Sequence, residues 1–186
     1  LLEVDIARKT RAEDIAAFRR RLEVEGDNPL RRDGLAMLYL QDGKPQQAID
    51  QLEASLRLNP DSAPAHYNIG VARSMLRQYV EATKAFEAAI RLDPNHAQAH
   101  NNLGAMLHLG GNIPDAVVHY RRAAELNPDN AEAPSNLGRL FMAQGRAAEA
   151  IVQFERALQL DPDGMPALLG LAWLRATASS AELRRA

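Results

Sequence analysis

The sequence predicts an all-α solenoid, an array of antiparallel helix pairs, and three observations carry that prediction. First, residues 63–164 form three consecutive blocks of 34 residues in strict register. Gly70, Gly104 and Gly138 share one phase, Ala82, Ala116 and Ala150 a second, and Phe86, Tyr120 and Phe154 a third. Ala89, Ala123 and Ala157 share a fourth, and Pro94, Pro128 and Pro162 a fifth. Second, a looser block at 29–62 puts Ala36, Ala48, Leu52, Ser55 and Pro60 in the same slots, and half a block follows from Met165. Third, breakers recur at fixed offsets: Gly43, Gly111 and Gly145 end the first helix of their blocks, and the Pro slot ends the second. Gly is cheapest in the left-handed conformation that closes a helix, and Pro disfavours helix at the residue before it. Self-similarity at a period of this size is the signature of stacked units that bury their apolar faces on one another.

The elements follow in order. Leu2, Val4 and Ile6 alternate with Glu3 and Asp5, a strand-like pattern too short to pair alone and expected to be the tail of a preceding domain. A chain opening on Leu1 instead of Met suggests a processed or excised fragment. Thr10 with Glu13 reads as a capping box that opens a helix to about Glu25. In that helix Ile15, Phe18 and Leu22 make one apolar stripe, the mark of a capping helix packed on the first block. Asn28-Pro29 then supplies an N-cap and an N1 proline. From there the first helix of each block is expected at about 29–42, 63–76, 97–110, 131–144 and 165–177, and the second at about 46–58, 80–92, 114–126 and 148–160. Ser179-Ser180-Ala181-Glu182 is a cap signal for a further second helix. The expected organisation is one domain. It comprises an N-terminal segment and capping helix at 1–28, repeats at 29–62, 63–96, 97–130 and 131–164, and a partial fifth repeat or capping helix at 165–186.

The slots have physical jobs. Small residues in the Gly and Ala phases let two helices of a pair approach closely, and the aromatic or Leu slots fill the gaps between pairs. Asn102-Leu103-Gly104, Ala116, Tyr120, Ala123 and Pro128, with matching sets in the flanking blocks, resemble the tetratricopeptide repeat. The resemblance covers about four blocks and a partial fifth. It departs at Arg32, His66, His100 and Pro134, where a large aromatic is usual. It departs again at Arg73, in place of a large apolar residue, and at Arg77, in place of Gly. The family implies a right-handed superhelix whose first helices line a concave groove, and a non-enzymatic scaffold that takes a peptide or helix there.

Composition narrows the function further. The chain has 186 residues, 46% of them hydrophobic, a formal net charge of -2 and a pI of about 6.2. That balance argues against a nucleic-acid or membrane-surface binder, which would carry a basic stripe. There is no Cys, which excludes disulfides, thiolate metal sites and Cys nucleophiles and leaves cytoplasm and periplasm equally open. No apolar run reaches the length of a membrane span. No phosphate-binding Gly loop or nucleophile elbow occurs, so no catalytic residues are expected. His96 and His100 are four apart, but His96 falls in the loop or first turn and no third ligand is fixed by spacing, so neither metal nor other cofactor is expected.

The informative column is the sixth position of each block: Gly34, Asn68, Asn102, Asn136 and Gly170. Carried over by position, it points into the groove. A carboxamide offers donor and acceptor together, so a line of them could hold an extended backbone without selecting its sequence. The arrangement is similar to the asparagine ladder of the O-linked N-acetylglucosamine transferase superhelix. Other groove slots are Asp33, Met37 and Gln41; Tyr67, Val71 and Met75; Asn101, Ala105 and His108; Ser135, Arg139 and Met142; and Leu169 and Trp173. Arg139 stands nearly alone as a cation there, which argues against a dicarboxylate clamp. The partner is therefore expected to be a protein or peptide. Two alternatives are a homo-oligomer, built through its ends or groove, and an accessory domain that positions substrates for a larger enzyme; the C-terminal end, where Leu168, Leu171 and Trp173 lack a covering helix, is expected either to associate or to continue in a longer chain.

Overall fold

A computed structural model describes residues 2–183, with side chains described for 11–177. It contains ten α-helices, and no strand occurs among the described residues. They are α1 (Leu2–Glu25), α2 (Pro29–Gln41), α3 (Pro45–Leu58), α4 (Ala63–Met75), α5 (Tyr79–Leu92), α6 (Ala97–Leu109), α7 (Ile113–Leu126), α8 (Glu132–Ala143), α9 (Ala147–Leu160) and α10 (Met165–Leu183). The even-numbered helices open the repeats (A helices); α3, α5, α7 and α9 close them (B helices). They divide into two compact units, Leu1–Pro94 and Asn95–Ala186. In the first, each helix packs on the next from α1 to α5, and α2 also meets α4. In the second, each packs on the next from α6 to α10, and the A helices meet directly as α6 with α8 and α8 with α10.

The ends of the helices follow from their residues. Asn28 Oδ1 accepts from Leu30 N at 2.9 Å and caps α2, whose first residue is Pro29. Ser62 Oγ accepts from Ala65 N and caps α4, and the His96 ring nitrogen Nδ1 accepts from Ala99 N and caps α6. Each B helix stops two residues before its loop proline. The intervening Asn59, Asp93, Asn127 and Asp161 are extended, with φ between -140° and -131°, as a residue preceding Pro must be. Gly43, Gly111 and Gly145 close A helices at φ of +69°, +79° and +72°.

Arg77 holds the same slot at φ +60°, so the turn keeps its geometry without the residue that suits it. A left-handed residue with a Cβ costs roughly 1–2 kcal/mol. Arg77→Gly is therefore expected to stabilise the fold by about 1 kcal/mol, read as a higher urea midpoint at unchanged slope.

Three expectations are corrected. Residues 2–6 are helical, and Thr10 lies inside α1 instead of opening it. No Gly or Pro interrupts the chain before Gly26, so a helix nucleated downstream runs back through Leu2. At the other end α10 continues through Ser179–Glu182 with no break, because a Ser cap starts a helix only where something has ended the previous one, and no Gly or Pro does so here. The residues after 183 lie outside the described chain.

The third correction concerns the Gly phase, which does not face the small residues. It faces the aromatic slot of its own repeat. A Cβ on Gly70 would lie 2.5 Å from the Phe86 ring, on Gly104 2.9 Å from Tyr120, and on Gly138 2.6 Å from Phe154. The ring also meets the next A helix: Phe154 lies against Gly170 as well. At the N-terminal end Phe18 of α1 lies against Gly34 in the same way, 34 residues before the Leu52 slot. So α1 has the register of a B helix. Its Asp14 and Arg21, which fall in the two Ala phases, are exposed, giving α1 a polar outer face.

Tyr120 and Phe154 join the core of the second unit, and Phe18 packs against that of the first. In the first unit Ile15, Leu35, Tyr39 and Leu52 cluster with Ala36, Ala48 and Ala65. In the second, Tyr120, Leu137, Leu140, Phe141 and Phe154 cluster with Ala167, Leu171 and Leu174 of α10. Leu171 is thus covered, whereas Leu168, Leu169 and Trp173 of the same helix remain exposed. Among the described residues no helix is long and apolar enough to cross a membrane.

Candidate functional site

The A helices present the column that the sequence singles out. Asn68, Asn102 and Asn136 are each half-buried on α4, α6 and α8. Asn136 does not stand alone. Its Nδ2 donates to Asn101 Oδ1 at 3.1 Å, and Asn101 Nδ2 donates to Glu132 Oε2 at 3.3 Å. Arg139 Nη1 makes a long bond to Asn136 Oδ1 at 3.5 Å. The four side chains form a relay from cation to carboxylate across the junction of α6 and α8. Asn101, expected to face an open groove, is instead 6% exposed and bonded inside that junction. The fifth position of one repeat meets the second and sixth of the next because adjacent A helices pack side by side.

The relay opens on a cleft of about 330 Å³ between α8 and the start of α10. Glu132, Ser135, Asn136, Arg139, Asp161 and Gly164 line it. Ala131, Ala157, Pro166 and Ala167 complete its lining, so polar and apolar groups share the cleft. Arg139 is the exposed cation at its edge.

The other expected groove residues spread over both units. Met75 is exposed on α4. Tyr67 is half-buried with its ring 5.8 Å from that of Phe86, so it supports the core as well as the surface. His108 is half-buried, and burial, then the Arg139 charge, hold its pKa below the usual imidazole value. Met142 packs on the core of the second unit. His96 is used as a cap, and His100 Nδ1 lies 2.9 Å from His119 Nδ1 in a stacked pair. Among the described residues no three His, Asp or Glu side chains converge as metal ligands.

Sequence reasoning missed Glu132. It sits 31 residues from Asn101, a spacing with no local signature.

Tyr120 reaches the same neighbourhood from beneath. Burial pushes its phenol up to about 12, Arg139 opposes the shift, and Glu132 adds to it. The raised value belongs to the folded state, so the folded chain keeps a proton that the unfolded chain loses near pH 10. Stability is therefore retained below about pH 10 and falls as pH rises toward about 12, with a slope approaching 1.4 kcal/mol per pH unit. Tyr120→Phe is expected to flatten that part of the profile in urea titrations across this range.

The fold defines a helix-hairpin repeat protein, a class of protein-interaction scaffolds. The chain belongs to the tetratricopeptide-repeat family. Profiles described as tetratricopeptide repeat match residues 39–107 and 131–163, and one described as TPR repeat matches 104–145. No curated protein matches the sequence. Among solved structures, MamA is 27% identical with a TM-score of 0.72, covering 80% of this chain and 86% of MamA. MamA from Desulfovibrio magneticus RS-1 is 19% identical with a TM-score of 0.75, covering 87% and 92%. YrrB, described as a TPR protein with an unusual peptide-binding site, is 21% identical with a TM-score of 0.72, covering 91% and 88%. At these identities the second and third speak to the fold alone.

Proposed function

We propose that the chain holds an extended segment of a partner protein along the exposed faces of its A helices, bonding mainly to the segment's backbone. The observation that carries this reading is the Arg139–Asn136–Asn101–Glu132 relay at the mouth of the cleft. The relay fixes which way the Asn136 carboxamide points. A fixed carboxamide can meet a backbone N–H with its oxygen and a backbone C=O with its second N–H. Asn68 and Asn102 occupy the same column and offer the same chemistry. The relay is already bonded within its own unit, so little ordering cost falls on it, and a backbone reader tolerates changes in the partner's side chains.

Each such hydrogen bond contributes about 0.5–1.5 kcal/mol net. Replacing Asn68, Asn102 and Asn136 together by Ala should therefore weaken binding by roughly 2–4 kcal/mol if the terms add. Asn136→Ala alone should weaken it modestly. Calorimetric titration of a captured partner against wild type and the triple variant checks this. Unchanged affinity would move the binding surface to the B helices or the ends.

A further inference from the structure

The junction of α2 and α4 in the first unit occupies the place of the α6–α8 junction, with two chemical differences. In the second unit both ends of Asn101 are satisfied, its oxygen by Asn136, 35 residues on, and its nitrogen by Glu132, 31 residues on. The same offsets from Asp33 reach Asn68 and Pro64. Asp33 puts an acceptor where Asn101 has a donor, and Pro64 brings no polar side chain to answer it. The outcome is visible: Asp33 Oδ1 is buried and has no hydrogen-bond partner among the described residues. A buried carboxylate oxygen left unpaired is costly and calls for an explanation.

The nearby cations do not supply one. Arg31 is bonded to Glu25 and to the carbonyls of Glu25 and Gly26. Arg32 is paired with Asp27 and bonded to Gln51. Arg11 donates to the Gln41 carbonyl, Lys44 pairs with Asp42, and Arg73 pairs with Glu53. One turn beyond Asp33 stands Met37, 42% exposed, and Met75 on α4 is 47% exposed. Thioether chains of this kind move aside readily and pack against the aliphatic stem of a long polar side chain.

We propose that Asp33 is a subsite for one basic side chain, Lys or Arg, of the segment bound along the A helices. The inference rests on the groove reading above and adds a charge preference to it. The incoming ammonium or guanidinium completes the pair that the chain itself leaves open, a charge-assisted hydrogen bond in partly dry surroundings. Met37 swings away to admit it and then covers its stem.

The test uses the 186-residue chain and blocked decapeptides of alternating Ser and Leu, each with one central Lys, Arg, citrulline or Glu, titrated by calorimetry. Lys and Arg peptides are expected to bind about tenfold tighter than citrulline, with Glu weakest. Asp33→Asn should erase the preference, and the exposed control Glu87→Gln on α5 should keep it. Equal affinities in wild type, or a preference that survives Asp33→Asn or is lost equally in Glu87→Gln, overturn the inference. If the citrulline peptide still binds, the groove reading stands without it; if no peptide binds, the groove reading falls too. A readout without ligand is independent of both. Asp33→Asn should melt at or above wild type, because it gives up no hydrogen bond of the buried Oδ1. A lower melting temperature means that Asp33 has a partner within the chain, and the subsite is wrong.

Discussion

Phe154→Ala is expected to destabilise the protein by about 3–5 kcal/mol, the cost of emptying a well-packed aromatic site. The ring is fully buried and lies between two backbones, Gly138 on α8 and Gly170 on α10. It belongs to the cluster that includes Leu137, Phe141, Ala167 and Leu171. The cavity cannot close by local collapse, because α8 and α10 also meet each other and so hold the gap open. The loss should extend beyond one contact. In a repeat array each unit is held only by its neighbours, so a defect here also weakens the docking of α10. Phe154→Leu should cost less, since Leu52 fills the equivalent slot of the first repeat. Urea unfolding of the three proteins checks the order. A Phe154→Ala midpoint equal to wild type would mean that the slot is not the core of the repeat.

The fold was legible because its information is repeated. Five phases recur at one period, and the breakers Gly43, Gly111, Gly145 and the loop prolines mark almost every boundary. Even Arg77, which breaks the rule at its slot, follows the backbone its neighbours impose, as tertiary context overrides local preference. The ends were less legible for the same reason reversed. Leu2–Ile6 and Ser179–Glu182 have no second copy to fix their phase, so local patterns had to decide and pointed the wrong way. The candidate site divides similarly. The Asn68, Asn102 and Asn136 column stands out by periodicity. The bonds that define the chemistry join residues 31 and 35 apart, set by how neighbouring A helices lean together. That geometry buries Asn101 and strands Asp33 Oδ1, and neither follows from spacing alone.

The Gly phase was legible as a phase but not as a contact, and the contact decides the last expected result. Gly104→Leu should destabilise by about 1–3 kcal/mol, the usual cost of overpacking. Two effects compete. Replacing Gly in a helix interior gains roughly 1 kcal/mol of backbone entropy and propensity. Against it, a Cβ at this position lies 2.9 Å from Tyr120 Cδ1, closer than real contacts allow, and Leu adds three more carbons behind it. The ring is buried, so α6 and α7 must separate or Tyr120 must leave its rotamer. The clash therefore wins. Gly104→Ala should fall between, since the same entropy gain meets only the first carbon of the clash. The cause can be isolated with a double-mutant cycle. In a Tyr120→Ala background the space is vacant, so adding Gly104→Leu should be neutral or stabilising. If the Gly104→Leu penalty persists without the ring, the close approach of helix backbone to aromatic face is not what this glycine is for.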